Sequence, residues 1–206
     1  MGAMGVNRLL LHPATKPTVF VLALAPFLWL AYAALTDPSE HLGANPAETL
    51  IRHTGELALR FLCAALAVTP LRQWTGWQAL ARLRRMLGLF ACFYAVLHFL
   101  CFAWLDMGLD LAAILKDIVK RPFILVGTAA LVGMLPLAAT SFNRAIKALG
   151  ARRWQTLHRA VYGVAALALL HFFWMRSGKN DFGDVAVYAA VIGTLLGWRL
   201  WRRLTS

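Results

Sequence analysis

Charge is scarce in this chain. Of its 206 residues only 15% are Asp, Glu, Lys or Arg and nine are acidic, whereas 60% are hydrophobic and mean hydropathy is +0.63. Soluble domains carry about 25% charged residues, so an ordinary soluble domain is excluded. Cysteine is scarce too. Cys63, Cys92 and Cys101 are odd in number, lie in apolar runs and lack paired spacing, which excludes a disulfide framework or a zinc motif and leaves buried thiols. No GxGxxG opens a βαβ unit and no soluble flavin domain is present, so direct binding of a reduced pyridine nucleotide is not expected. Internal repeats and low-complexity tracts are absent as well.

What is present is a series of apolar runs, near residues 18–35, 50–70, 83–105, 122–140, 154–175 and 184–201. Each is long enough to cross a bilayer as a helix. The first, with Pro26 inside it, exceeds the length of a signal-peptide core and is expected to remain as a span. The breaks are "TDPSEHLGANPAE", "TPLRQWTGWQ", "RPF" and "SGKNDFGD". Lys and Arg exceed Asp and Glu to give a net charge of +12. The basic residues sit in short runs between spans rather than on a nucleic-acid-binding face, so nucleic acid is not an expected partner.

One side holds Arg8, Lys16, Arg72, Arg82, Arg84, Arg85, Arg144, Lys147, Arg152, Arg153, Arg159, Arg199, Arg202 and Arg203; the other holds Arg52, Lys116, Lys120, Arg121, Arg176 and Lys179. Cytoplasmic loops carry the excess of Lys and Arg. The fold expected is therefore an all-α membrane protein, a six-transmembrane-helix bundle over residues 1–206 as a single domain, with both termini cytoplasmic. Most tryptophans fall near span ends, as in an interfacial aromatic belt.

Ionisable groups inside a span are costly and mark functional sites. Three of the six histidines, His98, His158 and His171, fall within spans three and five. Both spans run outward in this topology. His98 and His171, about 15 and 17 residues into their helices, end at similar depth near the outer face. Two histidines from different helices at one depth can supply the axial ligands of a haem iron. His158 lies on the inner side, about 20 Å below His171 at 1.5 Å per residue, a spacing suited to two stacked cofactors. On a straight helix those two histidines are about 140° apart, so they need not face one neighbour unless the helix is kinked. Gly88, Ala91 and Ala95 lead to His98 along one face of span three, leaving room for a flat macrocycle or for close helix packing. A transition-metal site and a proton relay use the same histidines; only Cys101 lies close enough in sequence to join a metal site.

Span two carries His53, Glu56 and Arg60 on one face. Glu56 and Arg60 can pair at i,i+4. Arg60, midway through the span, can bind a haem propionate or a quinone head group, or can tie helices together. His12 and His41 lie in a tail and a loop, where exposure to solvent explains them. The basic stretches "RLRRM" and "RAIKALGARRW" set topology, or dock a flavin, an anionic lipid or a donor reductase.

With these residues in place, the chain resembles the MsrQ (YedZ) family within the ferric reductase-like transmembrane group. The matching pieces are "PFLWL" in span one, "HTG" and "VTP" in span two, "RRMLGL" and then "LHF" in span three, "RPF" and "TS" bounding span four, and "RWQTLHRAVY" leading to "LLHFFW" in span five. The resemblance implies a haem b subunit of the bacterial inner membrane. It would pass electrons from the quinone pool or a cytoplasmic flavin reductase to a periplasmic molybdopterin methionine sulfoxide reductase, for repair of oxidised periplasmic proteins, with FMN as a further cofactor. It also implies that His98, His158 and His171 are the haem histidines. Relatives with two bis-histidine haems place a second histidine 13 or 14 residues from the first. Counting back from His98 gives Arg84 instead, so an inner haem is held by His158 with a ligand such as Arg84, or that site is empty. The alternatives are a transmembrane ferric or oxygen reductase-like cytochrome, and a non-redox proton-relay transporter or scaffold.

Overall fold

The computed structural model describes residues 2–178 and 180–205, and all its regular elements are helices, with no strand among the described residues. Lys179, counted above among the outer basic residues, lies outside them. Six helices are long and apolar enough to span a membrane: Thr15–Leu35, Pro46–Thr75, Gln78–Asp106, Pro122–Ala139, Asn143–Ser177 and Gly183–Leu204. The expected spans are thus all present in a multi-pass membrane protein. Residues 1–106 and 107–206 form two compact units.

The first unit contains α1 (Ala3–Leu11), α2 (Thr15–Leu35), α3 (Pro38–Leu42), α4 (Pro46–Thr75) and α5 (Ala81–Cys101). Helix α1 was not foreseen. It is tied to the α4–α5 connection by Asn7, whose side chain donates to the Gly76 carbonyl and accepts from the Ala79 N–H. Asn45 caps α4 by accepting from the Glu48 N–H, with Pro46 in the first turn, and Gly76 at φ 74° ends it. Helices α4 and α5 pack along each other. Helix α5 then widens into a π-helical turn over Phe102–Asp106. His41 departs from expectation: it is half-buried, with its ring 5.8 Å from both Trp29 and Tyr32.

Pro26 lies inside α2, where it lacks an N–H and crowds the preceding turn. Beside it, the fully buried Tyr94 hydroxyl donates to the Ala23 carbonyl at 2.7 Å and accepts from the Phe27 N–H at 3.2 Å. Those two groups are i→i−4 partners in a regular helix, so the hydroxyl bridges that turn beside the proline. Phe61 stacks on the Tyr94 ring at 5.4 Å. Tyr94→Phe keeps that packing and strips the bridge. It is expected to cost about 1–3 kcal/mol, measured as a lower unfolding midpoint in detergent; an unchanged midpoint would show that the bridge contributes nothing.

The second unit contains α6 (Leu111–Lys120), α7 (Pro122–Ala139), α8 (Asn143–His158), α9 (Val161–Ser177) and α10 (Gly183–Leu204). Helix α6 is capped by Asp110, whose carboxylate accepts from the Ala112 and Ala113 N–H groups. It buries Ile114 and exposes Leu111, Leu115 and Val119. Helix α7 packs on α9, and α9 on α10. The run expected as one helix over 154–175 is interrupted. Helix α8 ends at His158, and the i→i−3 bonds from Ala160 N–H to Leu157 and from Tyr162 N–H to Arg159 tighten the backbone before α9. His158 and His171 are therefore not fixed 140° apart by one straight helix.

Candidate functional site

His98 stands one turn before the C-terminal end of α5. Its Nδ1 lies 2.8 Å from the Ile51 carbonyl in the first turns of α4. A carbonyl can only accept, so Nδ1 carries the proton and the neutral imidazole keeps its lone pair on Nε2. Thr54, 1% exposed, donates to the Leu50 carbonyl at 2.7 Å, with the Ile51 carbonyl at 3.0 Å from the same hydroxyl.

His171 repeats the arrangement in the other unit. Its Nδ1 donates to the Phe123 carbonyl at 2.6 Å, in the first turn of α7. The Phe123 ring lies 6.1 Å from the imidazole. Again the lone pair is left on Nε2. Although no repeat is legible in the sequence, one device occurs twice: a histidine near the end of one span, held through Nδ1 by a carbonyl near the start of another. Metal-bound histidines use this kind of outer hydrogen bond to fix tautomer and ring orientation and to raise ligand basicity.

His158 is held differently. Its Nε2 lies 3.1 Å from Thr140 Oγ1, and its ring stacks on Trp154 at 4.0 Å. The Thr140 hydroxyl donates its single proton to the Pro136 carbonyl at 2.7 Å, so it accepts from His158 Nε2–H. Trp154 Nε1 donates to the Thr140 carbonyl at 2.9 Å, closing a small ring of contacts. In this arrangement the His158 lone pair is on Nδ1, the opposite tautomer to the other two.

The remaining candidates are on surfaces. Arg60, at mid-length in α4, is 61% exposed and pairs with Glu56 at 3.2 Å, as the i,i+4 spacing anticipated. His53 and Arg84 are exposed, Arg84 on the first turn of α5. Of the small-residue strip before His98, Ala91 is fully buried, whereas a Cβ built at Gly88 meets nothing within 4 Å. The strip thus combines tight packing with open space. Among the described residues, no group of three or more His, Cys, Asp or Glu side chains is arranged to hold a metal ion directly.

The donor chemistry fits a haem iron, which needs one nitrogen on each axial side and takes its other ligands from the porphyrin. His98 and His171 each offer an oriented imidazole with Nε2 unprotonated. His158, with Nε2–H given to Thr140, fits as an Nε2 ligand only if that proton moves to Nδ1.

Comparison with known proteins gives the family. The family model described as "Ferric reductase like transmembrane component" matches residues 54–169. A protein of Polaromonas naphthalenivorans named "Protein-methionine-sulfoxide reductase heme-binding subunit MsrQ" is 63% identical over 96% of this chain and 89% of its own length. The chain belongs to the MsrQ family. Proteins with the same name from Ralstonia nicotianae and Herminiimonas arsenicoxydans are 53% and 52% identical, over 91% and 88% of this chain and 85% and 82% of their own lengths. No solved structure matches the chain.

Most of the pieces that carried the resemblance lie in helices, whereas Arg121 of "RPF", the "TS" pair Thr140 and Ser141, and Arg159 and Ala160 of "RWQTLHRAVY" lie in the breaks between them. Sequence reasoning missed the two carbonyl partners, because a backbone oxygen leaves no mark in the residue type that carries it. The nearby glycines Gly55 and Gly127 were a usable signal, since each sits one turn beyond a partner carbonyl. The Thr140–His158 contact was also missed, although both residues lay in quoted motifs.

Proposed function

We propose that this chain is the haem b membrane subunit of a bacterial methionine sulfoxide reductase system. It accepts electrons on the cytoplasmic side of the inner membrane and delivers them to a periplasmic molybdopterin reductase that repairs oxidised proteins. The observation that carries the proposal is the matched pair of half-sites, in which His98 and His171 are held through Nδ1 by helix carbonyls so that Nε2 is the ligating atom. The relatives' printed names, which specify heme binding and methionine sulfoxide reductase, support the same reading.

The two histidines sit near the C-terminal ends of spans three and five, and their carbonyl partners near the starts of spans two and four. The excess of basic residues in the loops assigned to the inner side supports an outer site and cytoplasmic termini. A haem held there supplies one-electron transfer between its ferric and ferrous forms. The protein's own part is to fix the axial nitrogens, to exclude water by burial between apolar helices, and to set the potential through the outer hydrogen bonds.

His158 belongs to the inner side. It serves a second haem, with Arg84 as the candidate partner, once its Nε2 proton has moved to Nδ1. Arg60 is assigned to a haem propionate or a quinone head group, because an arginine at mid-span pairs with anionic oxygens far better than with lipid. Electrons enter from quinol or a cytoplasmic flavin reductase. The basic stretches of α8, with Arg144, Lys147, Arg152 and Arg153, are the proposed surface for FMN or for that donor.

The test is a reduced-minus-oxidised difference spectrum of the purified chain, followed by addition of a periplasmic molybdopterin methionine sulfoxide reductase. A haem b spectrum that reoxidises only when both that reductase and sulfoxide are present is the expected result. Reoxidation by ferric chelate or oxygen alone, at the same rate, would favour a terminal ferric or oxygen reductase instead. A preparation with no Soret band after hemin supplementation would end the haem reading altogether.

A further inference from the structure

The two histidine half-sites share a second feature that the axial ligands alone do not account for. In each, a glycine follows the accepting carbonyl by four residues, Gly55 after Ile51 and Gly127 after Phe123. Four residues is about one helical turn, so the glycine lies directly above the carbonyl on the same face. A Cβ built on Gly55 would stand 3.0 Å from His98 Nδ1 and 3.1 Å from Cε1. One built on Gly127 would stand 2.7 Å from His171 Nδ1 and 2.9 Å from Cε1. In both units the Nδ1–Cε1 edge of the imidazole therefore lies against bare backbone.

We infer that Gly55 and Gly127 are positioning residues for the haem histidines: each is bare so that the imidazole can lie on the helix with its Nδ1–H on the carbonyl one turn earlier. The inference rests on the haem reading above. A methyl group there would push the ring off the helix, lengthen the Nδ1–H···O=C bond and turn the ring plane about the iron–nitrogen axis. That hydrogen bond makes the imidazole a stronger donor and so favours ferric iron. Weakening it raises the midpoint potential. The effect should be larger at Gly127, where the contact is shorter and the hydrogen bond, at 2.6 Å, is tighter than the 2.8 Å bond of His98.

Glycines also serve ordinary helix packing, and one of them provides the control. A Cβ at Gly133 would meet Val164 Cγ2 at 3.0 Å, on the same α7–α9 seam but away from the histidine. Gly133→Ala should lower thermal stability and leave the haem's potential where it was.

The full-length chain is prepared with Gly55→Ala, Gly127→Ala or Gly133→Ala, and followed through the haem component that disappears in His98→Ala and His171→Ala. Haem per protein, the ferric low-spin electron paramagnetic resonance spectrum and the midpoint potential are measured. For Gly127→Ala the ferrous-to-ferric ratio at fixed ambient potential is expected to rise about tenfold, which is 59 mV for a one-electron couple, with altered g values. Gly55→Ala should move both in the same direction by less. Loss of haem from Gly127→Ala with retention in Gly133→Ala also supports the positioning role. Wild-type g values and potential in both Gly55→Ala and Gly127→Ala, or equal shifts in Gly127→Ala and Gly133→Ala, would overturn it. An absence of haem from the wild-type chain would instead overturn the underlying haem reading.

Discussion

His98→Ala and His171→Ala are each expected to remove the outer haem signal entirely, whereas His158→Ala leaves that signal in place and slows its reduction from the cytoplasmic side. The expectation follows from tautomer and tether. His98 and His171 each give Nδ1–H to a helix carbonyl, so each can offer only Nε2 to iron, and alanine removes that nitrogen. His158 offers its Nε2 proton to Thr140 instead, so its loss takes no lone pair from the outer iron. Haem per protein and the difference spectrum are the measurements, with far-ultraviolet circular dichroism showing that helicity is retained. Full haem content in either single variant, at unchanged helicity, would refute the pairing.

How much of this was legible beforehand varies with the kind of signal. All six spans could be placed from hydropathy, because in lipid a helix must satisfy its own backbone and show an apolar surface. Their ends moved where capping decided them: α4 starts at Pro46 rather than near 50 because Asn45 caps it, and runs to Gly76 because that residue can adopt positive φ. His98 and His171 stood out because an ionisable group in an apolar run is expensive. What held them did not. Ile51 and Phe123 act through their carbonyls, and nothing in an isoleucine or a phenylalanine announces that. The break after His158 was hidden as well, since "LHRAVYG" reads as continuous helix and only the i→i−3 bonds at Ala160 and Tyr162 reveal the tightening. Tyr94 was equally silent. Its role depends on the Ala23–Phe27 turn beside Pro26, a coupling between residues far apart in the chain.

The second large effect concerns the connection after α9. Arg176 is 4% exposed and is held by Asp181 at 2.6 Å and Asp184 at 3.2 Å, with its guanidinium 5.5 Å from the Phe172 ring centroid. The aspartates are 52% and 61% exposed at their side chains, so the three groups are not equivalent. Arg176→Met removes the buried charge and keeps most of the apolar stem, while the carboxylates that remain are already hydrated; the loss should be small, about 1 kcal/mol. The double variant Asp181→Asn, Asp184→Asn does the reverse. It leaves a guanidinium that cannot lose its proton buried against Phe172 with neutral partners, and stranding one member of a buried pair costs about 3–5 kcal/mol. Solvent near the exposed aspartates should bring the value to the lower end of that range. Unfolding midpoints in detergent would therefore fall much further for the double aspartate variant than for Arg176→Met. The triple variant should recover most of the difference, because it takes away the charge that was stranded. If Arg176→Met proves the more damaging change, the guanidinium is acting through its packing and cation–π contact with Phe172 rather than through its ion pairs.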